Sequence, residues 1–102
     1  LIRAVEPVKG IDIMAKRTDK NITDKTLTRG PGNVGKALGI DKHHSGLFLL
    51  DKEIFLLDDG KIIATEKIGI SKRIGVESAG ADGLLPFRFY IKGNPYVSGK
   101  RN

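Results

Sequence analysis

No cysteine and no tryptophan occur in these 102 residues, and methionine occurs once. Without cysteine there are no disulfides, no thiol nucleophile and no thiolate metal site. No apolar run approaches the ~18 residues of a membrane span. No charged segment leads into an apolar stretch, so no signal peptide is visible. The first residue is Leu1 and not Met, and it already opens a strand-like run, so the chain is expected to begin inside a longer domain.

Hydrophobic residues make up 39% and charged residues 29%, the proportions of an ordinary folded domain, and the length suits one small core and not two. Eighteen Lys and Arg oppose twelve Asp and Glu, a formal net charge of +6. That balance suits a nucleic-acid partner without requiring one.

Residues 1–6 read as a strand ended by Pro7. Leu1, Arg3 and Val5 share one face, Ile2 and Ala4 the other, and both faces look buried. A short helix is predicted over residues 10–17, and a polar loop or frayed helix over 18–28. Residues 30–39 form a clear helix unit, with Pro31 at its first position, Gly39 as its stop, and Val34, Ala37 and Leu38 as its apolar stripe. A loop follows at 41–46, then apolar runs at 47–50 and 54–57. Asp58-Asp59-Gly60 signals a hairpin turn with a return strand over 61–67. A short strand is predicted at 73–76, a Gly-containing loop at 78–85, and a final strand at 87–92. In that strand Phe87, Phe89 and Ile91 share one face, and Arg88, Tyr90 and Lys92 the other, a face that is usually solvated. Gly93-Asn94-Pro95 makes a turn. The sum is α+β: a curved, mostly antiparallel sheet of open-barrel type with a few short helices.

Arg3 is the most informative position. An Arg in a doubly apolar strand either reaches solvent from an edge or is aimed into a pocket, because leaving it buried and unpaired costs about 3–5 kcal/mol. No carboxylate of this chain is its obvious partner. Residues 30–36 match G-x-x-x-x-G-K, the phosphate-loop pattern, but Ala37 stands where magnesium needs Ser or Thr, the preceding segment is polar, and Pro31 removes an amide donor. What survives is a Gly-Pro-Gly helix start, which either leaves amides free for an anion or merely starts a helix. His43-His44 reads as a solvated pair with no third ligand spaced nearby, and no metal site is expected.

Several segments occur together and in order: Leu1-Ile2-Arg3-Ala4-Val5-Glu6-Pro7; Gly30-Pro31-Gly32 followed by Ala37-Leu38-Gly39-Ile40; Arg73-Ile74-Gly75-Val76; and residues 87–98, from Phe87-Arg88-Phe89 through Asn94-Pro95-Tyr96 to Ser98. In these the chain resembles the alkyladenine DNA glycosylase family, also called methylpurine or 3-methyladenine DNA glycosylase, over nearly its whole length.

The resemblance implies an enzyme that flips a damaged purine, alkylated or deaminated, out of duplex DNA and hydrolyses its glycosidic bond with water, leaving an abasic site. It implies neither metal nor cofactor. The implied partner is double-stranded DNA containing damaged purines, with no membrane, in a protein that is a monomer when complete and intracellular, in bacterial cytoplasm or eukaryotic nucleus. By residue, Arg3 and the main-chain carbonyl of Ile74 would hold the attacking water. Leu1 and Gly75 would line the pocket. Gly30, Pro31, Gly32 and Asn33 would contact DNA phosphate, with Lys36 adding charge.

Two departures stand out. Asn33 occupies a position where the family often has Lys, and Glu77-Ser78 stands where some members carry His two residues before Gly80. The family's general-base Glu, its base-stacking aromatics and its wedge Tyr lie before the part matched here. Residues 1–102 are therefore expected to be the C-terminal part of one glycosylase domain, inactive alone. The alternative is a non-catalytic basic domain that binds nucleic acid.

Overall fold

Gly10, Asp19, Gly30 and Gly39, all at positive φ, bound the two α-helices. Gly10 (φ 72°) leads into α1, Ile11–Thr18, with Asp12 in its first turn and Lys16 and Arg17 in its last, the charge order that suits the helix dipole. Gly30 leads into α2, Pro31–Leu38, and Gly39 (φ 68°) ends it, its N–H closing on Gly35 and Lys36 carbonyls. A computed structural model describes residues 1–50, 52–75 and 77–102. Arg17 Nη1 donates to the Ala37 carbonyl at 3.0 Å, tying α1 to the end of α2.

The small core lies between these helices and the segment that joins them. Ala15, Val34 and Ala37 are buried, and the most buried side chains of useful size are Leu27 (1% exposed) and Thr28 (0%). Both fall in the polar stretch expected to be loop or frayed helix. There Lys25–Thr28 forms a 3-10 turn, capped by the Asp24 carboxylate accepting from the Thr26 N–H. Thr28 satisfies its polar atoms on the first segment: its Oγ1 donates to the Val5 carbonyl at 2.6 Å, and its own carbonyl accepts from the Val5 N–H at 3.2 Å. Leu38, expected in the apolar stripe, is instead exposed.

Residues 1–6 do not form the doubly buried strand that their pattern suggests. They make one antiparallel bridge, Ala4 to Arg29, and Leu1 is 99% exposed. Apolar alternation specifies faces, but burial needs a neighbour on each side, and here only one side has one. At the expected hairpin turn Asp58 Oδ1 accepts from Gly60 N–H and Asp59 Oδ1 from Lys61 N–H, but residues 58–60 make no hairpin and the expected return strand is absent among the described residues. The run before the turn pairs backward, through Leu50 and Phe55 and the Leu56 N–H to Leu49 carbonyl bond, so residues 61–64 have no ladder to join.

The sheet starts at Ile68. Strand β1, Ile68–Ser71, pairs antiparallel with β2, Arg88–Ile91, in the register Ile68 to Ile91, Gly69 to Tyr90, Ile70 to Phe89 and Ser71 to Arg88. The two strands make an open sheet, and with the helices an α+β fold. The strand expected at 73–76 is replaced by a bend at Ile74 and Gly75 (φ 71°), and Val76 lies outside the described residues. The expected loop at 78–85 falls in Glu77–Leu84, a pair of 3-10 turns interrupted at Gly80.

The two faces of β2 are reversed from expectation. Arg88 is the buried residue, 7% exposed, while Phe87, Phe89 and Ile91 are open. The cause is the chain end. Arg88 Nη1 donates to Ser71 Oγ at 3.0 Å, and Nη2 donates to the carbonyls of Ser98 and Lys100 at 2.6 and 2.7 Å. Tyr90 Oη donates to the Asn102 carbonyl at 2.9 Å. The last residues thus fold over the polar face and leave the apolar face uncovered.

Candidate functional site

That uncovered face forms one wall of an open cleft of about 690 Å3. The opposite wall comes from residues 1–6, and Arg73, Tyr96 and Val97 complete it. The docking of the C-terminal turn holds the walls together. Asn94 Nδ2 donates to Glu6 Oε1 at 2.9 Å, Lys25 Nζ donates to Tyr96 Oη at 3.2 Å, and Arg29 Nη2 donates to the Pro95 carbonyl.

Three arginines line this space: Arg3, Arg73 and Arg88. The buried Nε of Arg3 and the buried Nε of Arg73 both lack a hydrogen-bond partner among the described residues. Arg73 is anchored by its Nη2, which donates to the Asp82 carbonyl at 3.2 Å, and its guanidinium lies 5.7 Å from the Phe87 ring centroid. Arg3 has no such anchor, and among the described residues it forms no ion pair. A guanidinium donor with an unfilled N–H beside an apolar cleft is suited to hold a water or a polar substrate atom.

The expected site residues separate into two places. Leu1 and Arg3 line the cleft. Ile74 and Gly75 do not; their neighbour Arg73 does, and the Ile74 side chain turns toward Gly99. Gly30, Pro31, Gly32, Asn33 and Lys36 lie at and beyond the start of α2. No side chain caps that start, so the first-turn amides carry no side-chain acceptor. Pro31, Gly32 and Lys36 are exposed, and Asn33 Nδ2 donates to the Arg29 carbonyl at 2.9 Å. Sequence reasoning missed Arg73, Phe87 and Phe89 as cleft residues. The Phe87, Phe89, Ile91 alternation was a usable signal, read there only as one face of a strand.

A separate cluster sits in the loop after α2. Asp41, His43 and His44 offer ligand atoms within 4.8 Å of one another, and Glu53 approaches both rings. The expected solvated pair without further donors is therefore corrected. The 3-10 turn Lys42–His44 brings Asp41 back onto the rings, and the chain brings Glu53 in from ten residues on. The Asp41 carboxyl is held below its usual range, first by the hydrogen bond from the His43 N–H and further by the two imidazoles. No helix among the described residues is long and apolar enough to cross a membrane.

Residues 1–95 match the family described as Methylpurine-DNA glycosylase (MPG). The chain is 43% identical over 98% of its length to a protein of Carboxydothermus hydrogenoformans, covering 50% of that protein. It is 41% identical over 96% of its length to one of Oceanobacillus iheyensis, covering 48%. Both relatives are named, provisionally, as 3-methyladenine DNA glycosylases. The chain thus spans about half the length of the curated relatives it matches.

Proposed function

The chain belongs to the methylpurine-DNA glycosylase family, and on that premise we propose that it is the C-terminal part of a DNA-repair glycosylase domain that hydrolyses the N-glycosidic bond of a flipped-out alkylated or deaminated purine. The reading is monofunctional: water attacks the sugar carbon, the purine leaves, and an abasic site remains. Arg3 orients the attacking water and Leu1 belongs to the pocket wall, while the Ile74 carbonyl and Gly75, which lie outside this cleft, join the water site and the wall in the complete domain. Gly30, Pro31, Gly32, Asn33 and Lys36 receive a DNA phosphate at the start of α2. The partner is duplex DNA carrying a damaged purine, and the complete protein acts inside the cell as a monomer.

The observation that carries this reading is Arg3, whose buried Nε has no partner beside an apolar cleft. An unsatisfied donor in such a place costs about 1–3 kcal/mol, a cost that an acceptor brought in by the complete domain would relieve. The test is incubation of the complete protein with a duplex carrying one alkylated purine, followed by alkaline cleavage at abasic sites. Cleavage at that position supports the reading, and an intact strand overturns it.

One observation favours a second reading for the chain by itself. Glu6 is the one carboxylate among the described residues that line the cleft, and its Oε1 is occupied by Asn94. A general base supplies ~10²–10⁴ in rate, and the resemblance implies that the family's general-base Glu precedes the part matched here. Alone, the chain would then be a basic nucleic-acid-binding domain without chemistry. Retained duplex affinity with no purine release by the isolated chain distinguishes this case.

A further inference from the structure

The cleft and the start of α2 are absorbed by the glycosylase reading; the loop around residues 41–53 is not. Asp41 caps the Lys42–His44 turn reciprocally: its Oδ1 accepts from the His43 N–H at 3.0 Å, and its own N–H donates to His44 Nδ1 at 3.1 Å. That backbone bond makes Nδ1 the unprotonated nitrogen of a neutral His44 and places the ring proton on Nε2, which lies 3.2 Å from Glu53 Oε2. His44 Nδ1, whose lone pair accepts the Asp41 N–H, also lies 3.5 Å from the Asp41 Oδ1 carboxylate oxygen. His43 Nδ1 contacts the same Oδ1, and the two imidazole centroids are 3.8 Å apart.

We propose that Asp41, His43 and His44 bind a divalent transition-metal ion of the zinc class through Asp41 Oδ1 and the two Nδ1 atoms, with Glu53 as the outer carboxylate that orients the rings. Ligands at zinc distances on a tetrahedron stand about 3.3 Å apart. The 3.5 Å between Asp41 Oδ1 and His44 Nδ1 is close to that, whereas His43 Nδ1, which donates to the same Oδ1, gives up its proton and moves outward to become a ligand. The Nε2–H of His44 on Glu53 is the arrangement by which metal-bound histidines are held in tautomer and orientation. Imidazoles with one carboxylate suit zinc, nickel or cobalt; calcium and magnesium favour all-oxygen shells.

Exposure sets the roles. The His44 side chain is 12% exposed and anchors the site, whereas Asp41 and His43, at 65% and 66%, leave coordination positions open to water. The ion replaces the weak bond from the Asp41 N–H to His44 Nδ1 and neutralises carboxylate charge on the loop. It also ties residues 41–44 to Glu53.

The experiment is titration of the chelator-stripped complete protein with zinc chloride near neutral pH by calorimetry, beside His43→Ala/His44→Ala, Asp41→Ala and Glu53→Gln, each checked for native circular dichroism. The expected result is saturable binding of one ion that disappears in the double variant. Affinity falls at least about tenfold in Asp41→Ala, and about tenfold with unchanged stoichiometry in Glu53→Gln. A tenfold excess of magnesium should not compete. Cobalt(II) should give visible bands that the double variant lacks. Zinc binding that is absent, or equal in stoichiometry and affinity in wild type and double variant, overturns the site. An unchanged affinity in Glu53→Gln removes Glu53 from it.

Discussion

The ring of Tyr90 occupies the space in which a side chain on Gly69 would stand. The two residues are cross-strand partners, and a Cβ built on Gly69 would lie 2.1 Å from Tyr90 Cζ. Glycine is needed here for space, because its φ is not in the left-handed region. Tyr90 in turn stacks under the Arg88 guanidinium, 4.2 Å from its ring centroid, and its hydroxyl holds the Asn102 carbonyl. The missing side chain at Gly69 therefore lets the chain end close over the sheet.

Gly69→Ala is expected to destabilise the protein by about 1–3 kcal/mol, the range for overfilling a packed site. Tyr90→Ala loses the ring contacts and the tail bond. In the double variant the added methyl has room, so the two losses should add to less than their sum by at least about 0.5 kcal/mol. Urea unfolding of the four proteins measures this. Additive losses would show that Gly69 and Tyr90 are not in conflict through space.

Asp24 should contribute to stability in a pH-dependent way. Its Oδ1 accepts from the Thr26 hydroxyl and the Thr26 N–H, and these two bonds, the hydroxyl's first, hold its carboxyl below the ordinary value of 3.8. The folded state then releases the proton more readily than the unfolded chain. The stabilisation is complete above the unfolded value and is lost as pH falls through the lower folded one. Thermal midpoints of wild type and Asp24→Asn should differ most above about pH 5 and converge toward about pH 2. A constant gap across that range would contradict the assignment.

Arg3→Ala in the complete protein should reduce single-turnover purine excision by roughly 10²–10³ while changing duplex affinity little. A preorganised donor acts on the transition state and not on the grip. Excision and affinity are measured on the same duplex. Equal losses in both would make Arg3 a packing or binding residue.

Lys36→Ala should weaken duplex binding evenly across sequences and lower the salt slope by about one phosphate's worth. Lys36 is exposed, five residues after Pro31 on a helix whose start carries no side-chain cap. Binding constants at several salt concentrations supply the slope. An unchanged slope would take Lys36 off the DNA, and magnesium-dependent ATP binding would revive the phosphate-loop pattern that Ala37 argues against.

Both helices, and the stop of the second, were legible along the chain because their determinants are local: hydrogen bonds four residues apart, Pro31 at a first position, Gly39 at the end; the first helix stops at Asp19 in the left-handed region, which its pattern did not signal. The final strand was legible from its alternation, and the family from segments spread between Leu1 and Ser98. Partner choice was decided only in three dimensions. The pattern of residues 68–71 is too short to announce β1, which exists because Arg88–Ile91 lies beside it. Residues 61–64 have a strand's composition and no strand partner among the described residues. Arg88 looked solvated and is buried, because carbonyls ten and twelve residues later return to it. The histidine pair looked isolated until a 3-10 turn and Glu53 surrounded it. Local preference fixes the backbone of a helix within one turn, whereas burial and strand pairing depend on groups distant in sequence, whose approach only the folded chain determines.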